Sequence, residues 1–182
     1  MIVETITISG ELPFDLQDVK DALRIEGDSD DTLLADICSA GVRLCEKITN
    51  RSYREATFRL NLSRLERQIY LPRPPTREVS LVEYLDVDGV YQPIPSAEYD
   101  LMSDEPAFIE FAEAFVYPQH KRSSRAIRVT YAGGYPTGST EVPPEFFIAV
   151  TMYVGAIIDD SPVDVGRLSE VLSPLLLPEF TE

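Results

Sequence analysis

The chain has 182 residues, of which 44% are hydrophobic and 26% charged, and this composition predicts a folded globular protein rather than a disordered one. Its formal net charge of -15 repels phosphate backbones and anionic lipid, so we expect neither sequence-specific nucleic-acid binding nor membrane binding. The sequence contains no run of roughly 18 apolar residues and no secretion signal, so we expect a chain made and used in the cytoplasm or in something assembled there.

Two amphipathic helices are predicted before residue 52. Residues 13–25 place leucine and valine at helical spacing behind Asp15, a favourable N-cap. The acidic segment GDSDDT (27–32) lacks the spaced oxygen ligands, central glycine and closing glutamate of a calcium loop, so we interpret it as a helix-capping cluster. A helix of about five turns, 29–50, follows. Gly41 inside it predicts the close approach of another helix.

The two cysteines lie on this second helix. Cys38 and Cys45 are seven residues apart, which separates them by roughly 10 Å along a helix axis, so they cannot form a disulfide with each other. With one histidine in the chain, no metal-ligand spacing is present. We expect buried, inert thiols, no metal and no cofactor.

From Thr57 the hydrophobic period changes to two, which predicts a β region over residues 57–132. The predicted strands are TFRLNL, QIYL, EVSLVEYLDV, VYQPI, EYDLM, AFIEF and AIRVTYA. Their short connections carry proline, glycine, aspartate or serine, as is typical of an antiparallel meander. Asp88 and Gly89 predict a tight hairpin turn.

A third helix is predicted over residues 143–160, started by proline and carrying a broad apolar face. The C-terminal segment 166–182 is apolar but interrupted by Pro174 and Pro178. We expect one α+β domain: a small helical bundle from residues 13–52 and 143–160, a central antiparallel β region, and an apolar C-terminal tail.

Three prolines, Pro72, Pro74 and Pro75, directly precede the longest predicted strand. Proline fixes φ and removes a backbone donor, so the crossing between two strands is expected to be stiff and to lose little entropy on assembly. A proline-rich edge that protects the sheet from aggregation explains the same residues. The sequence leaves both interpretations open.

Patterns typical of an enzyme site are absent from the sequence. The glycine-rich AGGYPTG segment matches no phosphate-binding loop, so we interpret it as a structural turn. Adjacent Asp159 and Asp160 are typical of a solvated helix end, and His120 beside lysine and arginine is typical of an exposed loop. Tyr117 and Tyr135 lie in predicted turns where they can contact a partner.

The order of five segments is more specific than any one of them. The segments are LQDVKDALRIEGDSDDTLLADICSAGVRLCEKITNRS, YLPRPPTREVSLVEYLDVDG, IRVTYAGGYP, VPPEFFIAVTMYV and LSPLLLPEF. In combination they resemble the head-tail connector, or adaptor, family of long-tailed bacteriophages and gene transfer agents. Where that family often ends its third helix with Asn-Arg-Glu and its tail with Pro-Tyr-Arg, this chain has IIDD and LPEF.

The resemblance implies a structural protein without enzymatic activity. It implies a ring of about twelve copies beneath the portal protein, joining the DNA-filled capsid to a stopper or tail-completion protein, in the neck of a virion or phage-like particle assembled in the bacterial cytoplasm. DNA passes through the lumen of such a ring, and a negative lumen would repel it. The implied portal contacts are Leu172, Leu175, Leu176, Leu177 and Phe180, and we expect this tail to be exposed in the monomer. Inter-subunit or stopper contacts are expected at Arg73, Arg77, Lys121, Arg122 and Arg125.

Two other classes of function remain as alternatives. In the first, the β region is a small-ligand or carbohydrate binding module, which needs a concave pocket that the sequence does not reveal. In the second, a pair of carboxylates serves a hydrolase, for which the sequence shows no activating partner.

Overall fold

The computed structural model of the chain describes residues 1–136 and 141–177. It divides into two compact units. We call residues 1–8 and 55–134 the β unit, and residues 9–54 with the described part of 135–182 the helical unit. The mixture of helices with two antiparallel sheets confirms the predicted α+β class. That both units belong to one domain stays a prediction.

The helical unit contains four α-helices and a final 3₁₀ turn. They are α1 (Leu16–Leu23), α2 (Asp31–Thr49), α3 (Pro144–Ile158), α4 (Val165–Val171) and the turn Ser173–Leu175. Asp15 caps α1 as predicted, since its carboxylate accepts a hydrogen bond from the Gln17 backbone N–H at 2.9 Å. Pro144 occupies the first turn of α3. The three helices predicted from periodicity are therefore confirmed.

The core of the helical unit forms where α2 packs against α3. A Cβ atom on Gly41 would lie 2.9 Å from Tyr153 Cδ1, so the predicted close approach of another helix is confirmed. Cys38 and Cys45 are free and fully buried in this core. Burial raises the pKa of the Cys38 thiol to about 11 and that of Cys45 to about 12, because an apolar environment disfavours the thiolate.

The β unit contains eight strands in two antiparallel sheets. The strands are β1 (Ile2–Ile8), β2 (Ala56–Leu62), β3 (Gln68–Tyr70), β4 (Thr76–Leu85), β5 (Tyr91–Ile94), β6 (Tyr99–Met102), β7 (Phe108–Phe111) and β8 (Ile127–Gly133). The five-stranded sheet has the order β1-β2-β8-β4-β5, and the three-stranded sheet has the order β3-β7-β6.

The predicted meander is wrong. The last strand, β8, lies between β2 and β4, and three of the strands separate into a second sheet. No strand was predicted in the first eight residues, whereas residues 2–8 form the edge strand β1 against β2. The first error concerns pairing between segments far apart in the chain, which local periodicity does not record.

The core of the β unit follows the predicted alternation. Leu60 of β2 lies opposite Val129 of β8, which lies opposite Val82 of β4, and all three are fully buried. One face of the five-stranded sheet is therefore apolar across its middle strands. The predicted Asp88-Gly89 turn joins β4 to β5, and the Asp86 carboxylate accepts hydrogen bonds from the backbone N–H groups of Asp88 and Val90.

The three prolines lie between β3 and β4, so they join the two sheets. The Pro72 carbonyl accepts a hydrogen bond from the Tyr131 hydroxyl at 2.6 Å, and the Pro75 carbonyl accepts one from the Gly134 N–H at 3.0 Å. The segment is fixed at two points as well as stiffened by its rings. β4 is an inner strand, so edge protection applies only to β3, which is an edge of its sheet.

Within the described ranges, none of the helices has the length and apolar character to cross a membrane.

Candidate interaction surfaces

The C-terminal segment divides into a buried part and an exposed part. Leu172 is fully buried in the core of the helical unit, and Leu175 packs partly against that core. Leu176 is 46% exposed and Leu177 is half-buried, whereas Phe180 lies outside the described residues. The expectation that the whole tail is exposed in the monomer is therefore wrong for Leu172, which belongs to the chain's own core.

A buried arginine fixes this segment to the helical unit. Arg51 follows α2 and is only 6% exposed, and its Nε donates a hydrogen bond to the Leu175 carbonyl at 2.6 Å. A bond from a charged donor to a backbone carbonyl inside the unit is strong because it is shielded from water. The exposed apolar surface of the tail consequently begins at Leu176.

The five predicted basic contact residues all lie in the β unit, but they do not form one cluster of free charges. Arg77 pairs with Glu55 at 2.5 Å, and Arg125 pairs with Glu4 at 2.9 Å. The Arg73 guanidinium lies 6.0 Å from the centre of the Phe58 ring. The remaining two, Lys121 and Arg122, are exposed and form no ion pair within the described part of the chain.

Lys121 and Arg122 belong to a segment that we call the basic loop, residues 112–126. The Phe115 ring stacks on Phe111 at 4.7 Å, and the Tyr117 ring meets Phe115 edge-on at 5.0 Å. The Lys121 N–H donates to the Leu85 carbonyl at 2.9 Å. The loop is anchored by these contacts, yet Val116 is 85% exposed and Tyr117 is 46% exposed. That Tyr117 contacts a partner stays a prediction, and Val116 was not singled out from the sequence.

The helical unit carries a concave surface that we call the acidic groove. Its volume is about 530 Å³. Its apolar lining consists of Ile25, Leu33, Leu34, Ile37, Ile157 and Ile158, and its acidic lining of Glu26, Asp30 and Asp31. Leu33 is 60% exposed and Ile158 is 49% exposed, so large aliphatic side chains face water there.

At the rim of the groove, a buried lysine binds two aspartates. Lys20 of α1 is 3% exposed, and its Nζ lies 2.6 Å from Asp28 Oδ1 and 2.9 Å from Asp31 Oδ1. These hydrogen bonds raise the pKa of Lys20 and lower that of Asp28, because each stabilises the charged forms. Asp30 is the N-cap residue of α2 but makes no side-chain capping hydrogen bond. The prediction that the side chains of GDSDDT cap the helix is therefore wrong, because Asp30 makes no such bond and Asp28 and Asp31 bind Lys20 instead.

The remaining candidates lie in ordinary structural positions. Asp159 and Asp160 are exposed at the end of α3, which confirms the solvated helix end. Tyr135 is half-buried and stacks on Tyr53 with ring centres 6.2 Å apart. His120 is half-buried, in the basic loop, with Nδ1 3.3 Å from the Pro118 carbonyl oxygen. Over the described residues, no cluster of three or more histidine, cysteine or acidic side chains is placed to hold a metal ion.

A second concave surface, of about 520 Å³, also lies on the helical unit. It is lined by residues of α1, α3 and α4, among them Ile148, Met152 and Arg167. Ile148 is 49% exposed, as Ile158 is in the acidic groove. Ile148 and Ile158 are thus equally exposed on the same helix but line different surfaces. A substitution at one is therefore a control for a substitution at the other.

Comparison with known proteins identifies solved structures that share this fold. No family model and no curated protein matches the chain. Solved structures match over 100% of this chain and 98% of theirs, at 18% sequence identity. They are chains from the neck of an empty gene transfer agent particle computed with C6 symmetry (TM-score 0.77), from the virion of a native gene transfer agent particle (0.75), and from the neck of a native particle computed with C12 symmetry (0.74). The chain therefore has, over its full length, the fold of chains found in the necks of gene transfer agent particles, and the resemblance stated from sequence is confirmed for the fold.

Proposed function

We propose that this chain is a head-tail connector without enzymatic activity. Copies form a ring of about twelve beneath the portal protein and join the DNA-filled capsid to a stopper or tail-completion protein. The observation that carries this proposal is the full-length fold likeness to chains from the necks of gene transfer agent particles, including necks computed with sixfold and twelvefold symmetry. The location is the neck of a virion or phage-like particle, assembled in the bacterial host.

The charge of the chain supports this role. A net charge of -15 on each copy gives an oligomeric ring a large negative charge, which repels the phosphate backbone at any surface that DNA passes. A channel through which DNA moves works best when the wall does not adhere to it. The lumen of the proposed ring is accordingly lined by acidic rather than basic side chains.

The C-terminal end of the chain, from Leu176 onward, docks into the portal protein. Leu176 is exposed beyond the point where Arg51 holds Leu175. Burying apolar surface on a partner contributes roughly 25 cal/mol per Å², so an exposed leucine is a useful contact. Leu172 contributes to this contact only by holding α4 in place.

The proposal is tested by co-expressing the chain with the portal protein of the same particle. We expect a complex that co-purifies and shows rings by negative-stain electron microscopy. A chain that stays monomeric and separate from the portal protein at every concentration tested would contradict the proposed function.

The role of the tail is tested by ending the chain after Leu175, which leaves the Arg51 contact in place. We expect this truncation and Leu176→Ser to weaken portal binding. Val165→Ser is the control, because Val165 is 48% exposed against 46% for Leu176. Portal binding that is unchanged in the truncated chain would refute the docking role of the tail while leaving ring formation intact.

A further inference from the structure

The acidic groove of the helical unit is an exposed apolar surface with a charged border. Leu33, Ile157 and Ile158 are 60%, 41% and 49% exposed along its floor. Lys20 pairs with Asp28 and Asp31 at the border, but Glu26 and Asp30 form no pair with a cation in the described ranges. The groove therefore suits a segment that combines apolar side chains with positive charge.

The basic loop of the β unit has the complementary character. Val116, at 85%, is the most exposed large hydrophobic side chain among the described residues, and the Tyr117 ring beside it is 46% exposed. Lys121 and Arg122 follow within five residues and are exposed without an ion-pair partner in the described part of the chain. Because Phe115 and the Lys121 backbone anchor the loop, little ordering entropy remains to be lost on binding.

We infer that the acidic groove of one copy receives the basic loop of a neighbouring copy. Val116 and Tyr117 contact Leu33 and the α3 isoleucines, while Lys121 and Arg122 face Glu26 and Asp30. A contact between two different surfaces is heterologous, so an open chain of copies keeps one free groove at one end and one free loop at the other until the ring closes. The inference rests on the proposed function in that it supplies the subunit contact of the ring.

A second copy fits the groove better than the chain's own end does. The C-terminal residues PEFTE carry two glutamates, which the acidic border of the groove repels. In a chain of net charge -15, like copies repel each other overall, so a contact between them needs a local match of opposite charges. Residues 120–126 of the basic loop belong to HKRSSRAIR, the densest basic stretch of the sequence, and so provide that match.

The test is photo-crosslinking of the full chain. Tyr117 is replaced by p-benzoylphenylalanine, light and ¹⁵N-labelled copies are mixed and irradiated, and the products are mapped by mass spectrometry. We expect cross-links between a light and a heavy copy that join position 117 to residues 25–37 or 157–158. The same substitution at Tyr70 is the control, because Tyr70 is also 46% exposed and also lies in the β unit. Cross-links from position 117 that avoid the groove, or that match those from position 70, would overturn the inference.

Charge exchange tests the contact from both sides. Lys121→Glu with Arg122→Glu reverses the loop, and Glu26→Lys with Asp30→Lys reverses the groove. We expect each variant alone to lose the groove cross-link about tenfold or more, and a one-to-one mixture to recover it, because opposite charges then meet at every contact. Arg64→Glu with Arg67→Glu makes the same charge change elsewhere in the β unit and should have no effect. A mixture without recovery would contradict the heterologous contact.

A lysine at the start of α2 opposes the helix dipole, so the groove is also tested without a charge change. Leu33→Ser should lower the cross-link yield, and Ile148→Ser, on the second concave surface, should leave it unchanged. Rings that form equally well with the reversed loop would refute this inference and leave the proposed function standing. Groove cross-links in a chain that never binds the portal protein would refute the function and leave the contact standing.

Discussion

The two units differ in how their buried backbone groups obtain hydrogen-bond partners. In the β unit the strands pair with one another, and the salt bridge between Arg77 and Glu55 lies on the surface, with both side chains at least 42% exposed. In the helical unit, charged side chains are buried where helices end. Glu46, at 8% exposure, accepts hydrogen bonds from the backbone N–H groups of Tyr53 and Arg54 and pairs with the Arg54 guanidinium at 2.6 Å.

The difference follows from the ends of helices. α2 ends at Thr49 and β2 begins at Ala56, so the N–H groups of Tyr53 and Arg54 lie outside both elements, and a side chain accepts their hydrogen bonds. A sheet satisfies its own backbone, and its charged residues remain available at the surface. Buried polar contacts therefore fix the segments that leave the helices of the helical unit, whereas the charges of the β unit can serve partners.

The largest expected effect comes from removing the buried carboxylate. Glu46→Ala leaves the Arg54 guanidinium and two backbone N–H groups without their acceptor, which should lower the free energy of unfolding by about 3–5 kcal/mol. Glu55→Ala removes an exposed partner and should cost at most about 1 kcal/mol. Urea denaturation of both variants measures the comparison. Equal costs would show that the two units do not differ in this way.

The apolar cores should not differ between the units. Leu172→Ala in the helical unit and Leu60→Ala in the β unit each truncate a fully buried leucine, so each should cost about 2–5 kcal/mol. Leu176→Ala, at a 46% exposed position, should change stability by less than about 0.5 kcal/mol. Thermal and urea unfolding report these values. If Leu172→Ala left the free energy of unfolding unchanged, the assignment of Leu172 to the core would be contradicted.

The close contact between α2 and α3 gives a smaller effect. Gly41→Val places new atoms against the Tyr153 ring and should cost about 1–3 kcal/mol. Gly155→Ala is the matched control: its Cβ would lie 3.4 Å from Leu23 Cδ2, an ordinary contact, so it should stabilise by up to about 1 kcal/mol. Thermal unfolding followed by circular dichroism shows whether each substitution lowers or raises the stability. Stabilisation by both substitutions would disprove the tight helix crossing.

The pH dependence of the Lys20 contact is the smallest expected signal. The pKa of Lys20 is raised in the folded chain and that of Asp28 is lowered below its ordinary 3.8. The stabilisation from Lys20 is present below its ordinary pKa and is lost as the pH rises through the raised value. The stabilisation from Asp28 is present above 3.8 and is lost as the pH falls through the lowered value.

The wild-type chain should therefore exceed Lys20→Met in melting temperature near neutral pH, and the difference should shrink in strong acid and in strong base. Arg64→Met, which removes an exposed pair with Glu66, should show little difference at any pH. A difference for Lys20→Met that grows on acidification below 3.8 would contradict the ion pairs.

Much of the secondary structure was predictable because hydrophobic periodicity and capping residues within a segment indicate whether it is a helix or a strand. The helical period, the Asp15 cap and the glycine at the helix crossing were all read correctly, and seven of the strands follow the two-residue period. β1 was missed although IVETITI alternates β-branched residues. Its signal was available, but nothing near it in the sequence reveals that β2, more than fifty residues later, is its partner.

The candidate surfaces were less predictable. Arg77 and Arg125 were predicted as inter-subunit or stopper contacts, and the sequence did not reveal that the fold brings Glu55 and Glu4 to them. Exposed Val116 and the apolar floor of the acidic groove were not singled out, because an isolated apolar residue in a sequence is compatible with either a core or a surface position.

The sequence by itself determined the classes of element, the buried thiols and the acidic charge, since these depend on residue type and on spacing within one segment. Only the tertiary structure decided that β8 lies between β2 and β4, that Leu172 belongs to the core, and which carboxylates face which cations. The physical reason is that periodicity records whether a side chain faces a core, whereas the identity of the neighbour depends on packing of segments far apart in the chain.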